Sequence, residues 1–417
     1  MNVILYTFGC KANQYDTEIV RQRLEDAGCR VVASAEGADA AVVNSCTVTH
    51  VGEAKMRGLV RRLARRNPAI RTVVMGCAAA VDDGRIAALP NVAGVVPGAD
   101  DGAVARALAL PAARSAESGL RRFASGSRAW LKIQDGCDEH CTFCATVLAR
   151  GANRSRPIAE LVAEARLLAR QAQEIVLTGV HVGAYGRDLP GTASLGGLVE
   201  ALVIAVPGVR FRLSSVEATE IDDRLVDLMA ARPDRLAPHI HAPLQSGSDR
   251  LLKRMGRHWY TGGAYRRRVE AIAARLPVLG LGADVIVGFP GETDTDHRAT
   301  RALIADLPFT YLHVFPYSER PEAAARRLGP PVAPERARAR AAELRALAAA
   351  RGDAHAVRRD GAIADVVLLD RRAGRFTALT EDYLTVGVVA ADGPPPARFH
   401  ARLARGGEGV TALPIAS

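Results

Sequence analysis

Trp130-Leu-Lys-Ile-Gln-Asp-Gly-Cys-Asp-Glu-His-Cys-Thr-Phe-Cys-Ala-Thr-Val-Leu-Ala-Arg-Gly151 carries three cysteines, Cys137, Cys141 and Cys144, in a C-x3-C-x2-C pattern. An apolar-alternating run from Ala129 to Ile133 leads into it and predicts a strand. Three thiolates on one tight loop suit three corners of a cubane iron–sulfur cluster and leave one iron open to a non-protein ligand. A tetrahedral zinc site wants four ligands, usually as paired C-x2-C units. His140 lies between two of the cysteines, where its reach to the same metal is poor. Three structural cysteines are the plain alternative, though such clusters are uncommon in reduced chains.

Residues 137–144, with Phe143 just before the last cysteine, resemble the signature of the radical S-adenosylmethionine (SAM) enzymes. The resemblance implies that the open iron chelates the amino and carboxylate groups of SAM. One-electron reduction then cleaves the sulfonium to a 5′-deoxyadenosyl radical.

A chain of 417 residues suggests two or three domains, and its 48% apolar content is ample for their cores. The formal net charge of +10 suits a polyanionic partner, and Arg-rich usage from genomic base composition accounts for it equally well. Seven cysteines without a dense framework argue against a secreted disulfide scaffold and for metal or redox use. The N-terminus has no basic region before its short apolar run, and no stretch approaches a membrane span. The expectation is a soluble, cytoplasmic protein.

In residues 1–115 three more cysteines share one context. Val3–Phe8 leads through Gly9 to Cys10, Asp39–Val43 leads through Asn44-Ser45 to Cys46, and Arg71–Met75 leads through Gly76 to Cys77. Helical patterns at Tyr15–Ala27 and Glu53–Arg66 lie between, so a parallel sheet is expected. The three cysteines would gather at the carboxyl ends of its strands, as ligands of a second cluster. Cys29, at a helix end, reads as an ordinary small apolar residue. Lys55, Arg57, Arg61, Arg62, Arg65 and Arg66 crowd one helix, as a solvated face or a phosphate-contacting patch.

Gly9-Cys-Lys-Ala-Asn-Gln-Tyr-Asp-Thr-Glu18 and Val43-Asn-Ser-Cys-Thr-Val-Thr49 resemble the N-terminal domain of the methylthiotransferases. That family carries an auxiliary cluster on three cysteines, matched here by Cys10, Cys46 and Cys77. The Asn13–Glu18 form is most similar to the branch acting on N6-threonylcarbamoyladenosine in tRNA. Ala78-Ala79-Ala80 departs from the family's usual Tyr-Ala-Gln, which bears on packing or substrate contact more than on the cluster.

Arg114–Gly126 reads as a linker. Six strands are then expected, at 129–134, 174–178, 210–215, 239–243, 281–287 and 310–315, with helical patterns such as Ile158–Ala172 and Gly262–Leu276 between them. Six β/α units over 120–328 resemble the partial barrel of the radical SAM core, whose mouth carries the chemistry. Small and polar residues at strand ends, Thr178, Gly179, Ser215, Glu217, Gln245 and Asp284, suit a cofactor cradle and are assigned to SAM. His241–Asp249 and Leu252–Met255 resemble the family's barrel closely. Ala145–Ala149 lacks the family's Ile-Pro pair, and His181 reads as an exposed or structural histidine.

Pro330, Pro331 and Pro334 mark a boundary, after which 329–354 is expected to be a linker helix. Residues 355–417 turn to short strands at Ile363–Leu369, Phe376–Leu379, Tyr383–Val389 and Arg398–Leu403, which suggests a small barrel. Phe376–Val386 resembles the TRAM domain, an RNA-binding module; its basic residues here, Arg371, Arg372 and Arg375, are few.

The expected fold is α/β: an N-terminal parallel-sheet domain, a central radical SAM partial (β/α)6 barrel and a small C-terminal TRAM-like β-barrel. The resemblance implies a methylthiotransferase with two 4Fe–4S clusters and SAM, acting on the tRNA anticodon stem-loop with a reductant such as flavodoxin or ferredoxin. Sulfur would enter C2 of threonylcarbamoyladenosine. The rival substrates are isopentenyladenosine in tRNA and a ribosomal-protein aspartate. A non-enzymatic RNA-binding protein with structural metals is the rival of another class.

Overall fold

The structure is a computed structural model that describes all residues except 48–49, 112–118, 124–125, 321, 373–374, 390–392, 408 and 416–417, and only the backbone of Arg371 and Arg372. Much of the expected linker at 114–126 therefore lies outside the described residues.

The first strands form where short apolar runs end in small residues. They are β1 (Asn2–Thr7), β2 (Arg30–Val31), β3 (Ala40–Ser45), β4 (Arg71–Gly76) and β5 (Val92–Pro97). All pair in parallel, in the order β2-β1-β3-β4-β5. Every residue of β3 is buried, because helices cover both faces of the sheet and no polar alternation is needed. Val20 and Leu24 of helix Lys11–Asp26 pack with Val104 and Val3 on one face. Met56, Val60 and Leu63 of helix His50–Arg66 pack with Ile4 and Val74 on the other. Cys29 is buried in the first of these cores, as expected of a small apolar side chain.

Six further parallel strands follow: β6 (Arg128–Lys132), β9 (Glu174–Thr178), β10 (Arg210–Leu213), β11 (His239–His241), β12 (Gly280–Val287) and β13 (Tyr311–Pro316). A two-residue ribbon, β7 (Gln134–Asp135) with β8 (Arg154–Ser155), closes the loop after β6. The strands form two three-stranded sheets, β6-β9-β10 and β11-β12-β13. Parallel bridges Phe211–Leu236 and Ser215–His241 join them into one open barrel wall. The six strands agree with the expected ones to within a few residues at each end.

The C-terminal strands, β14 (Ile363–Arg372), β15 (Arg375–Thr380), β16 (Thr385–Val388), β17 (Arg398–Gly406) and β18 (Gly409–Pro414), close into a barrel in the order β14-β15-β16-β18-β17. The last of these was not expected. Helix Pro334–Arg359 begins with proline at its first turn and continues beyond the 354 boundary. It is not a free connector: Ala341 and Leu344 sit in the central core, and Arg340 donates to Glu292 at 2.7 Å.

A buried charge cluster fastens the C-terminal barrel to the core. Glu174, fully buried on β9, receives Arg128, Arg210 and Arg212. The two inner arginines then donate to backbone carbonyls of Asp365, Thr380 and Glu381 on the far side of the boundary, at 2.7 to 3.0 Å. Three guanidiniums share one carboxylate, so its removal leaves buried charge uncompensated. Glu174→Ala is expected to cost about 3–5 kcal/mol of stability, with Glu174→Gln falling between it and wild type. Urea unfolding of the iron-free chain, followed by circular dichroism, measures this; an unmoved midpoint would remove the cluster from the stability account.

Candidate active site

The carboxyl ends of β1, β3 and β4 deliver Cys10, Cys46 and Cys77 to one edge of the first sheet. Two glycines make the approach possible. Gly9 has φ +109°, and a Cβ there would lie 2.9 Å from the Cys46 Cβ. Gly76 has φ +96°, and a Cβ there would lie 2.3 Å from the Asn44 side chain. Each position takes a backbone conformation and a contact distance that only glycine tolerates.

Asn13, wholly buried, ties these strand ends together. Its amide nitrogen donates to the carbonyls of Phe8 and Ser45 and to Asn44 Oδ1, at 2.8 to 3.1 Å. Its oxygen lies 3.5 Å from the Cys10 sulfur and 4.0 Å from the Cys77 sulfur.

The second triplet sits on the loop after β6. Gly136 starts the loop at φ +71°, the Cys137 N–H donates to the Gly151 carbonyl, and Thr142 N–H donates to the Met255 carbonyl. Phe143 anchors the loop against Leu251, Met255 and Phe289. Residues Thr146–Arg150, in the stretch without the Ile-Pro pair, form a short helix. His140 is exposed and is not among the residues lining the cavity.

Each triplet has a cation at its sulfurs. Arg150 donates to the Cys77 sulfur at 3.2 Å, and Arg257 approaches the Cys141 sulfur at 3.6 Å. His181 Nδ1 lies 3.7 Å from the Cys137 sulfur. Of the two expected roles for His181, exposed or structural, the structural one holds: it is buried, and Nε2 bonds Glu220 at 2.9 Å. Burial lowers its pKa, but the bonds to Cys137 and Glu220 outweigh this and hold it at about 10, so the ring is cationic. Burial pushes the Cys77 thiol up to about 11 and the Cys141 thiol up to about 12, against the pull of Arg150 and Arg257. Loading metal onto these sulfurs therefore releases protons.

Arg150 also links the triplets to each other. Its guanidinium donates to Asn13 Oδ1 and Asp16 Oδ2 at 2.9 Å on the first domain, and to Asp135 at 2.9 Å on the second. Lys132 completes the group by pairing with both Asp16 and Asp135. The carboxyl of Asp135 is held well below its usual range: burial raises it, and Lys132 and Arg150 more than reverse that.

All six cysteines line one cavity of about 350 Å³. Thr178, Gly179, Ser215, Glu217, Gln245 and Asp284 line the same cavity, the first five at or after the carboxyl ends of β9 to β11 and Asp284 within β12. Glu217 is ion-paired with Arg257. Asp284 is held by His241 and His313, both at 3.1 Å. Sequence reading did not find Arg257 as a sulfur partner, because it stands 116 residues from Cys141 in no marked context. Arg150 was visible only as a basic residue after the third cysteine. The donor set fits two thiolate-bound clusters: three convergent sulfurs in each group, cationic donors beside them and no fourth cysteine on the cavity.

Comparison with known proteins adds to this geometry. Residues 2–98 match the model of the uncharacterized protein family UPF0004, and residues 131–304 match that of the radical SAM superfamily. The threonylcarbamoyladenosine tRNA methylthiotransferase MtaB of Bacillus subtilis is 38% identical over 76% of this chain and 74% of its own length. The protein of that name from Aquifex aeolicus is 36% identical over 81% and 85%. A tRNA-2-methylthio-N(6)-dimethylallyladenosine synthase from Chloroflexus aurantiacus is 37% identical over 76% and 70%. Among solved structures, the radical SAM methyltransferase TsrM of Kitasatospora setae superposes with a TM-score of 0.58 at 15% identity, covering 78% of this chain and 76% of its own, which is a likeness of fold.

Arg150→Met leaves Asp16 and Asp135 buried with Lys132 as their one remaining cation in this group. The expected loss is about 3–5 kcal/mol, seen as a fall of several degrees in the melting temperature of the iron-free chain. A melting curve that overlays wild type would show that Arg150 is not what joins the two cysteine-bearing domains.

Proposed function

This chain belongs to the radical SAM methylthiotransferases, and we propose that it converts N6-threonylcarbamoyladenosine beside the tRNA anticodon to its 2-methylthio derivative. One observation carries the reading: two three-cysteine groups from separate domains face each other across a single cavity. A sulfur donor and a radical source must act on the same carbon, so they must share one chamber. The relatives named for threonylcarbamoyladenosine support the choice of nucleoside.

In this reading Cys137, Cys141 and Cys144 hold the cluster that binds SAM, and Cys10, Cys46 and Cys77 hold the auxiliary cluster. When bound, the first group would supply one-electron reduction of SAM and the auxiliary group would supply sulfur for the product. The chain's own residues bind and orient. Arg150, Arg257 and His181 present positive donors to the ligand sulfurs and stabilise their negative charge. Thr178, Gly179, Ser215, Glu217, Gln245 and Asp284 would hold SAM through hydroxyl, carboxylate and amide groups.

The tRNA would approach over helix His50–Arg66. Arg61, Arg62, Arg65 and Arg66 are exposed on it, while Met56, Val60 and Leu63 face the core. Phosphate contact by such a face is sequence-independent and salt-sensitive. The C-terminal barrel would add a second RNA contact, with Arg375 exposed on β15. The proposed domain limits are 1–115 and 120–328, with the connecting helix, expected within 329–354, running over Pro334–Arg359 and the C-terminal barrel after it. A protein such as flavodoxin or ferredoxin would deliver the electron in the cytoplasm. Among the described residues no helix is long and apolar enough to cross a membrane.

Two measurements test this. Fully loaded wild type should hold about eight irons per chain. Replacing Cys137, Cys141 and Cys144 by alanine should halve that, and so should replacing Cys10, Cys46 and Cys77. Loss of all iron from either triple variant would mean the groups are not independent ligand sets. Nucleoside mass spectrometry of tRNA from a strain lacking the gene should show loss of the 2-methylthio-threonylcarbamoyl nucleoside. Wild type should restore it and Cys141→Ala should not. Loss of the isopentenyl derivative instead would move the protein to the other tRNA branch, and no change in tRNA would exclude both.

A further inference from the structure

A second cavity of about 590 Å³ opens beside the first. The two share Cys10, Lys11, Cys46, Ser214, Ser215 and Asp284, so they meet at the auxiliary cysteines. One wall is aromatic. His239 stacks on Tyr383 at 4.2 Å between centroids, and Tyr383 stacks on Tyr311 at 5.2 Å. Tyr383 comes from the turn between β15 and β16, so the C-terminal barrel helps to build this wall.

The charges of the cavity are unbalanced. Arg212 is paired with the buried Glu174, and Asp284 is hydrogen-bonded to His241 and His313 at 3.1 Å. His239 is neutral, because burial and the neighbouring Arg212 hold its pKa well below the usual histidine value. Lys11 and Lys55, by contrast, line the cavity without a hydrogen bond or ion pair among the described residues. Of the chain's 55 lysines and arginines only four are lysine, at positions 11, 55, 132 and 253. Lysine is thus rare in this chain, and two of its four lysines line this cavity. A flexible ammonium is a compact point charge with rotatable donors, suited to an anion carried on a mobile arm.

We infer that Lys11 and Lys55 bind the carboxylate of the N6-threonylcarbamoyl arm and so select this nucleoside over neutral N6-substituted adenosines. The inference rests on the proposed substrate. In adenine, C2 and the N6 substituent flank N1 on one edge of the ring. Aiming C2 at the auxiliary cysteines therefore lodges the arm within a base's width of Cys10, where Lys11 stands. The aromatic wall accepts the purine face, and Lys55, on the neighbouring helix, closes on the arm from the other side. Neutral alkenyl arms would leave both ammonium groups without an anion.

The test compares three anticodon hairpins, identical except at one adenosine: threonylcarbamoyl acid, its methyl ester and unmodified. Binding to cluster-loaded protein is measured at one ionic strength. Wild type should prefer the acid to the ester by about tenfold or more, the size expected of charge-assisted hydrogen bonds. Lys11→Gln and Lys55→Gln, alone and together, should erase that preference while binding the ester and unmodified hairpins as wild type does. Iron content of each variant shows whether the adjacent cluster is retained; Lys55→Gln, which touches no cysteine, carries the test if Lys11→Gln loses iron. Equal losses on all three hairpins would assign the lysines to backbone phosphate and overturn the inference. So would a wild type that converts the acid hairpin yet binds acid and ester equally, with the substrate reading intact. A wild type that neither binds nor converts the acid hairpin would overturn both.

Discussion

A guanidinium buried where two domains meet is the constraint on which the site depends. Arg150 is about 8% exposed, and burial of that charge is tolerable only with anionic and hydrogen-bonding partners around it. Its partners come from three places: Asn13 and Asp16 on helix Lys11–Asp26, Asp135 after β6, and the Cys77 sulfur at the end of β4. Meeting all of them sets the first sheet against the mouth of the barrel. Because Arg150 follows Cys144 by one short helix, the same contacts bring the two cysteine groups onto one cavity.

The same logic recurs at the opposite boundary. Glu174 gathers three arginines, and two of these reach backbone carbonyls of the C-terminal barrel. Much of the chain's positive charge is therefore structural, committed to pairs inside the molecule. The net charge of +10 overstates what the surface offers to a polyanion, and the informative cations are those left without a carboxylate. Arg61, Arg62, Arg65 and Arg66 on helix His50–Arg66 and the cavity lysines Lys11 and Lys55 are among them. One element thus carries both the exposed arginines and Lys55 on the rim of the second cavity, which joins the proposed docking of the nucleic acid to the proposed reading of the base.

The two cavities divide the work by chemistry. The cysteine-lined one is rich in sulfur, with cations poised on the ligand atoms. The neighbouring one offers stacked rings and ammonium groups. Relatives named for different N6-substituted adenosines resemble this chain to a similar degree, so selection among them rests on a few residues rather than on the fold.

The sequence by itself marked the six cysteines that line one cavity, the six barrel strands and the polar residues on or after those strands. These are local: a strand run, a glycine and a cysteine are contiguous, and their spacing states the chemistry. It also placed Cys29 in a core. It left His181 open between an exposed and a structural role, because its burial and its bond to Cys137 depend on a loop 44 residues away, and it missed β2, β5 and β18, which are short or weakly patterned. Only the tertiary structure decided that Arg150 and Arg257 stand on the sulfurs, that helix Pro334–Arg359 is a wall of the core, and that Lys11, Lys55 and Tyr383 share a cavity. Such relations are set by partners distant in the chain, where a buried charge finds its counter-ion by packing and no local pattern records the choice.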